Sequence, residues 1–72
     1  MNVIAEVAGK VWKIEARLGT RLAVDDTVLI LESMKMEIPV VAPGAGKLLE
    51  LRVSEGDTVS EGEILAIIGE TP

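Results

Sequence analysis

The segment Glu32-Ser33-Met34-Lys35-Met36-Glu37 sets one primary amine between two thioethers and brackets them with carboxylates. A lysine ammonium is a compact charge on a flexible four-carbon stem, and unbranched methionines repack easily against different surfaces. Such a group is a poor core element and a good handle. Spacing alone is equally compatible with Met34 and Met36 as strand residues facing a core and Lys35 as the solvated residue between them. Glu32 and Glu37 read as solvated strand residues. Ser33 and Lys35 would share one face of a regular strand, as a Ser-Lys nucleophile pair does. The chain has no histidine, no evident oxyanion site and little volume for a pocket, which argues against an enzyme. Asp25-Asp26 and the scattered glutamates do not form an EF-hand loop, and imidazole and thiolate ligands are absent, so no metal site is expected.

The elements that must position this segment come from a short chain. Seventy-two residues make one small domain, residues 1–72, too small to enclose a deep catalytic pocket as well as a core. About half the residues are apolar, yet the only aromatic is Trp12, so Val, Ile, Leu and Ala must build the core; that mixture favours strands. The net charge of −5 argues against nucleic acid as partner and implies a solvated acidic surface. Met1–Glu6 has no basic region, no segment reaches membrane-spanning length and cysteine is absent, so the expectation is a soluble, cytoplasmic, monomeric domain without a membrane partner.

The chain also repeats itself. A shift of thirty-seven positions aligns Val3 with Val40, Ala5 with Ala42, Ala8-Gly9-Lys10 with Ala45-Gly46-Lys47, Gly19 with Gly56 and Ile30 with Ile67. Val11, Ile14 and Ala16 match Leu48, Leu51 and Val53, a three-then-two spacing that a strand with one bulge provides. Two copies are too few for a solenoid, so two similar β units should close on each other around one core. Apolar segments at 3–7, 10–16, 28–31, 36–41, 47–53 and 64–68 read as strands, and no helical period appears. Gly19, Gly56 and Gly62 stand where turns need positive φ, and Asp25 takes the place of Gly62 in the first half.

The repeat locates Lys35. Its counterpart is Pro72, the last residue, so the first half closes in a hairpin where the second half stops. A pseudo-twofold axis would then put Lys35 at an exposed pole opposite the termini. Two-residue hairpin turns favour Asn-Gly or Asp-Gly. Met34-Lys35 violates that preference, which points to a functional demand.

Glu32-Ser33-Met34-Lys35-Met36, preceded by Gly19, Leu22, Asp26 and Leu29 and followed by Ile38, Ala42-Pro43, Gly46, Gly56-Asp57, Val59 and Gly62, resembles the biotinyl (biotin carboxyl carrier) domain of biotin-dependent carboxylases and decarboxylases. The resemblance spans essentially the whole chain and is close to the short biotin/lipoyl attachment proteins. It implies an all-β flattened barrel, a barrel-sandwich hybrid of two four-stranded antiparallel sheets with pseudo-twofold symmetry. It also implies that Lys35 is joined by an amide bond to biotin, with Met34 and Met36 contacting the ligase and partner sites. The implied partners are a biotin protein ligase, a biotin carboxylase that loads carboxylate on the biotin ring, and a carboxyltransferase that passes it to an acceptor. The domain itself would be a non-catalytic swinging-arm carrier.

Departures from the family pattern fall at turns. Ser33 stands for the usual Ala, Thr20 for an Asp, Asp25 for a Gly, and Glu6 where the second half has Pro43. No inserted thumb loop separates Gly19 from Val28, unlike some bacterial acetyl-CoA carboxylase carriers. Lipoyl domains are similar in architecture but usually place Asp before and Ala after their lysine. The two methionines favour biotin, with lipoate as the alternative cofactor. Membrane-fusion proteins of efflux pumps use a similar barrel but with a helical hairpin and an anchor.

Overall fold

Runs of β-branched and leucine residues, interrupted every few positions by Gly, Pro, Asp or Ser, leave the chain short strands and tight turns. The computed structural model describes residues 1–69 and places in them β1 (Asn2–Ile4), β2 (Gly9–Ile14), β3 (Arg21–Leu22), β4 (Thr27–Ser33), β5 (Met36–Val41), β6 (Gly46–Leu51), β7 (Thr58–Val59) and β8 (Ile64–Gly69). All pairings are antiparallel. They form two four-stranded sheets, ordered β1-β8-β6-β3 and β5-β4-β2-β7, in a body of about 38 × 19 × 18 Å. Among the described residues no helix is long and apolar enough to cross a membrane.

The internal repeat is the construction rule of both sheets. The thirty-seven-residue shift carries β1 onto β5, β2 onto β6, β3 onto β7 and β4 onto β8, and so turns one sheet into the other. Hydrogen bonds that extend the strand pairings within each sheet come in matched pairs. The Gly19 amide donates to the Leu48 carbonyl as the Gly56 amide donates to that of Val11, and the Asp25 amide donates to Ala42 as the Gly62 amide donates to Ala5. The bulges implied by the three-then-two spacing appear in both copies, between Val11 and Lys13 and between Leu48 and Glu50.

Backbone conformation follows the turn chemistry. Gly19, Gly56 and Gly62 have φ of 85°, 95° and 87°, and Asp25 takes 70° at the place of Gly62. Gly9 and Gly46 are needed for a different reason. A Cβ on Gly9 would lie 2.7 Å from the Glu32 carbonyl oxygen, and one on Gly46 would collide with that of Gly69.

Strand limits differ from the apolar runs in the sequence. β3 and β7 have two residues each, too few to display alternation, and were not among the six expected strands. The first run, 3–7, is a strand only to Ile4, because the chain bends at residues 6 and 7 as it crosses between sheets. Conversely β4 extends to Ser33, beyond its apolar run, because Glu32 and Ser33 pair with Glu37 and Met36.

The core contains Val3, Ala5, Val11, Ala16, Leu22, Val28, Leu29, Leu31, Ala42, Leu48, Val53, Val59, Leu65, Ala66 and Ile68. Apart from Val3, whose counterpart Val40 is half-buried, every member has its repeat partner in the core too. Several partners differ in size, among them Val11 and Leu48, Val28 and Leu65, and Leu29 and Ala66. No polar or charged residue is buried among the described residues. Burial of aliphatic side chains, each contributing about 1.5–3 kcal/mol, must therefore hold the two sheets together.

Candidate functional site

β4 and β5 are the longest continuous pairing, running from Thr27↔Val41 to Ser33↔Met36. Met34 and Lys35 alone connect them. Both have positive φ, 52° and 64°, the backbone signature of a type I′ turn. The right-handed twist of the strands favours this turn geometry, while the side chains of Met34 and Lys35 oppose it. The unfavourable local choice foreseen from the sequence is thus present in the fold.

Lys35 is exposed, Met34 is 91% exposed and Met36 64%. The alternative in which the methionines face the core is excluded. Neither ion pair among the described residues, Lys13–Glu15 and Arg52–Glu50, involves Lys35. Ser33 is a paired strand residue whereas Lys35 lies in the turn, so the alternation that would put them on one face ends at Ser33.

The Met34–Lys35 turn closes the β4–β5 hairpin at the end away from Thr27 and Val41. Met1 donates its terminal ammonium to the Ile68 carbonyl at 2.6 Å, and Ile68 donates back to Met1. Met1 also lies against Gly44, past the end of β5 far from the turn, whereas Gly9 lies against Glu32 and Ser33 beside it. The amino terminus is therefore at the pole away from Lys35. Pro72, the other terminus of that expectation, lies outside the described residues.

Cross-strand register adds a feature that spacing along the chain does not reveal. Glu32 lies directly opposite Glu37, and on its other side opposite Lys10. Like charges in register across a pair of strands are destabilising; Lys10 brings an opposite charge to the same row without forming an ion pair with Glu32. A shallow recess lined by Lys10, Val11, Trp12, Glu32 and Gly56 adjoins this row, with Trp12 half-exposed at the β2 bulge. The sequence offered only one signal for Trp12, its status as the sole aromatic.

An enclosed cleft of about 90 Å³ between β1 and β5, lined by Ile4, Glu6, Val7, Ile38 and Pro39 among others, holds Glu6 as its titratable group. A wider and more open recess of about 350 Å³, lined by Asn2, Val3, Ile4, Glu6, Val41 and Pro43, adjoins it. Asp26 and Glu63 accept hydrogen bonds from the Ala23 and Ser60 amides, acting as turn caps rather than ligands. No cluster of three metal-ligating side chains occurs among the described residues.

A pseudo-twofold barrel of two four-stranded sheets that presents a lysine on a hairpin tip defines a class, the biotin/lipoyl attachment domain. The chain belongs to that family: residues 2–68 match its family model, described as "Biotin-requiring enzyme". It is 45% identical over 65 residues to the biotin/lipoyl attachment protein of Bacillus subtilis (strain 168), with 90% of this chain and 89% of that protein covered. It is 39% identical over 67 residues to the biotinylated protein TB7.3 homolog of Mycobacterium leprae (strain TN), covering 93% and 94%. The solved structure of Kluyveromyces lactis urea carboxylase superposes with a TM-score of 0.92 at 33% identity, over 96% of this chain but 6% of that one.

Proposed function

We propose that the chain is a biotin carboxyl carrier, one attachment domain over residues 1–72, with Lys35 as the residue that biotin acylates. The observation that carries this reading is the exposed amine of Lys35 at the centre of a strained two-residue turn between exposed Met34 and Met36. Acylation forms an amide between the biotin carboxyl group and Nζ and removes the ammonium charge. The four-carbon stem and the biotin chain then give the bicyclic ring a long reach, while the barrel stays rigid.

The reaction chemistry belongs to partner proteins. A biotin carboxylase loads carboxylate on the ring, a carboxyltransferase removes it, and tethering raises the effective concentration of the ring at both. Relatives support this direction. Besides the urea carboxylase, the chain is similar to the long-chain acyl-CoA carboxylase of known structure, with a TM-score of 0.85 and 29% identity. Met34 and Met36 favour biotin over lipoate because they give a ligase long apolar contacts on both sides of the amine. A cytoplasmic location fits the chemistry, since loading the ring requires ATP.

Incubation with biotin, ATP and a biotin protein ligase should add one biotinyl mass and make the protein bind avidin. A matched reaction with lipoate and a lipoate ligase should add little. Lipoyl addition alone would replace the biotin assignment by a lipoyl one, and no addition with either ligase would end both.

A further inference from the structure

The described residues contain three methionines in two different environments. Met1 packs against the core, with its sulfur close to Gly44. Met34 is the most exposed large apolar residue and Met36 follows it. Neither belongs to the hydrophobic core. The chain has no cysteine, so no thiolate competes for a two-electron oxidant, and exposed thioethers become the first targets. Those targets flank Lys35 on both sides.

We propose that Met34 and Met36 form a reversible oxidation site that gates the acylation of Lys35; the proposal rests on Lys35 being the attachment residue. In the step, a thioether sulfur attacks one oxygen of hydrogen peroxide and the O–O bond breaks. A sulfur–oxygen bond forms, and the departing hydroxide takes the proton of the new S–OH group, leaving the sulfoxide and water. Sulfur is oxidised by two electrons and peroxide is reduced by two. Methionine sulfoxide is polar and chiral, so the apolar contacts beside the amine are lost. The fold is untouched, because both side chains project into solvent from a turn and a strand end. Sulfoxide reductases, which act on each epimer with a thiol reductant, return the thioethers. The gate acts on the unmodified chain, before the carried group is attached.

The test uses the full-length, unmodified protein treated with hydrogen peroxide. Peptide mass spectrometry should find oxygen on Met34 and Met36 several times faster than on Met1, while the thermal melting temperature stays unchanged. The initial rate of biotinylation should fall about fivefold or more, the scale of losing one modest apolar contact. Treatment with methionine sulfoxide reductases A and B and dithiothreitol should restore it. A Met34→Leu/Met36→Leu variant should show the same rate before and after peroxide, whatever that rate is; the reductase arm stands even where leucine slows the ligase.

Equal labelling of oxidised and untreated protein overturns the gate alone, as does oxidation of Met1 as fast as Met34. Untreated protein that takes no biotin ends the carrier reading and the gate with it.

Discussion

Lys35 and its neighbours separate recognition from stability. Exposed turn side chains contribute little packing, and substitutions there usually change stability by less than about 0.5 kcal/mol. In the proposed function Met34 and Met36 provide shape beside the amine, by which two kinds of ligase would tell similar hairpins apart. Replacing Met34 by Asp and Met36 by Ala should slow biotinylation and open the chain to lipoylation, with the melting temperature close to wild type; parallel ligase assays read both. This site was legible in the sequence because a lysine between two methionines is chemically distinctive. The Glu32–Glu37 opposition and the place of Lys10 beside it were not legible, since they depend on strand register rather than on spacing along the chain.

At the scale of elements, the hairpin and the β3 and β7 turns show where function and folding disagree. A Met34→Asn/Lys35→Gly hairpin would satisfy the positive φ of both positions and should raise stability by about 1 kcal/mol, some 4–8 °C in melting temperature for a domain this small. It would also abolish attachment, so stability and function would move in opposite directions. The turn before β3 offers a cleaner case. Asp57 accepts a hydrogen bond from the Ser54 amide at 2.8 Å through its side chain. At the matching position Thr20 bonds through its backbone alone, its amide donating to the Arg17 carbonyl and its carbonyl accepting from the Leu48 amide. Thr20→Asp should supply the missing cap and stabilise by about 0.5–1 kcal/mol, read as a higher urea midpoint with unchanged slope. Turns with Gly or Asp at positive φ were readable from the sequence. The two-residue strands between them were not, because pairing with β6 and β2, not their own pattern, makes them strands.

The whole molecule is one motif used twice, and its stability is shared across the pseudo-twofold axis. Even the surface follows the repeat: the ion pairs Lys13–Glu15 and Arg52–Glu50 occupy equivalent positions with the charges exchanged, both well exposed. Such pairs contribute little, so the core decides. Leu29 is fully buried, and its repeat counterpart in the other half is the smaller Ala66. Leu29→Ala should cost about 2–5 kcal/mol, a large part of the total for so short a chain, and leave the domain partly unfolded at physiological temperature by circular dichroism. The barrel presents Lys35 on an exposed hairpin turn, and the central claim concerns its amine. Fragmentation mass spectrometry of the ligase-treated protein, alongside Lys35→Arg, tests it most directly. The account predicts one biotinyl group located wholly on the peptide containing Lys35, and none on a Lys35→Arg protein that melts at the wild-type temperature. Biotin on Lys10, Lys13 or Lys47, or continued labelling of the arginine variant, would contradict it.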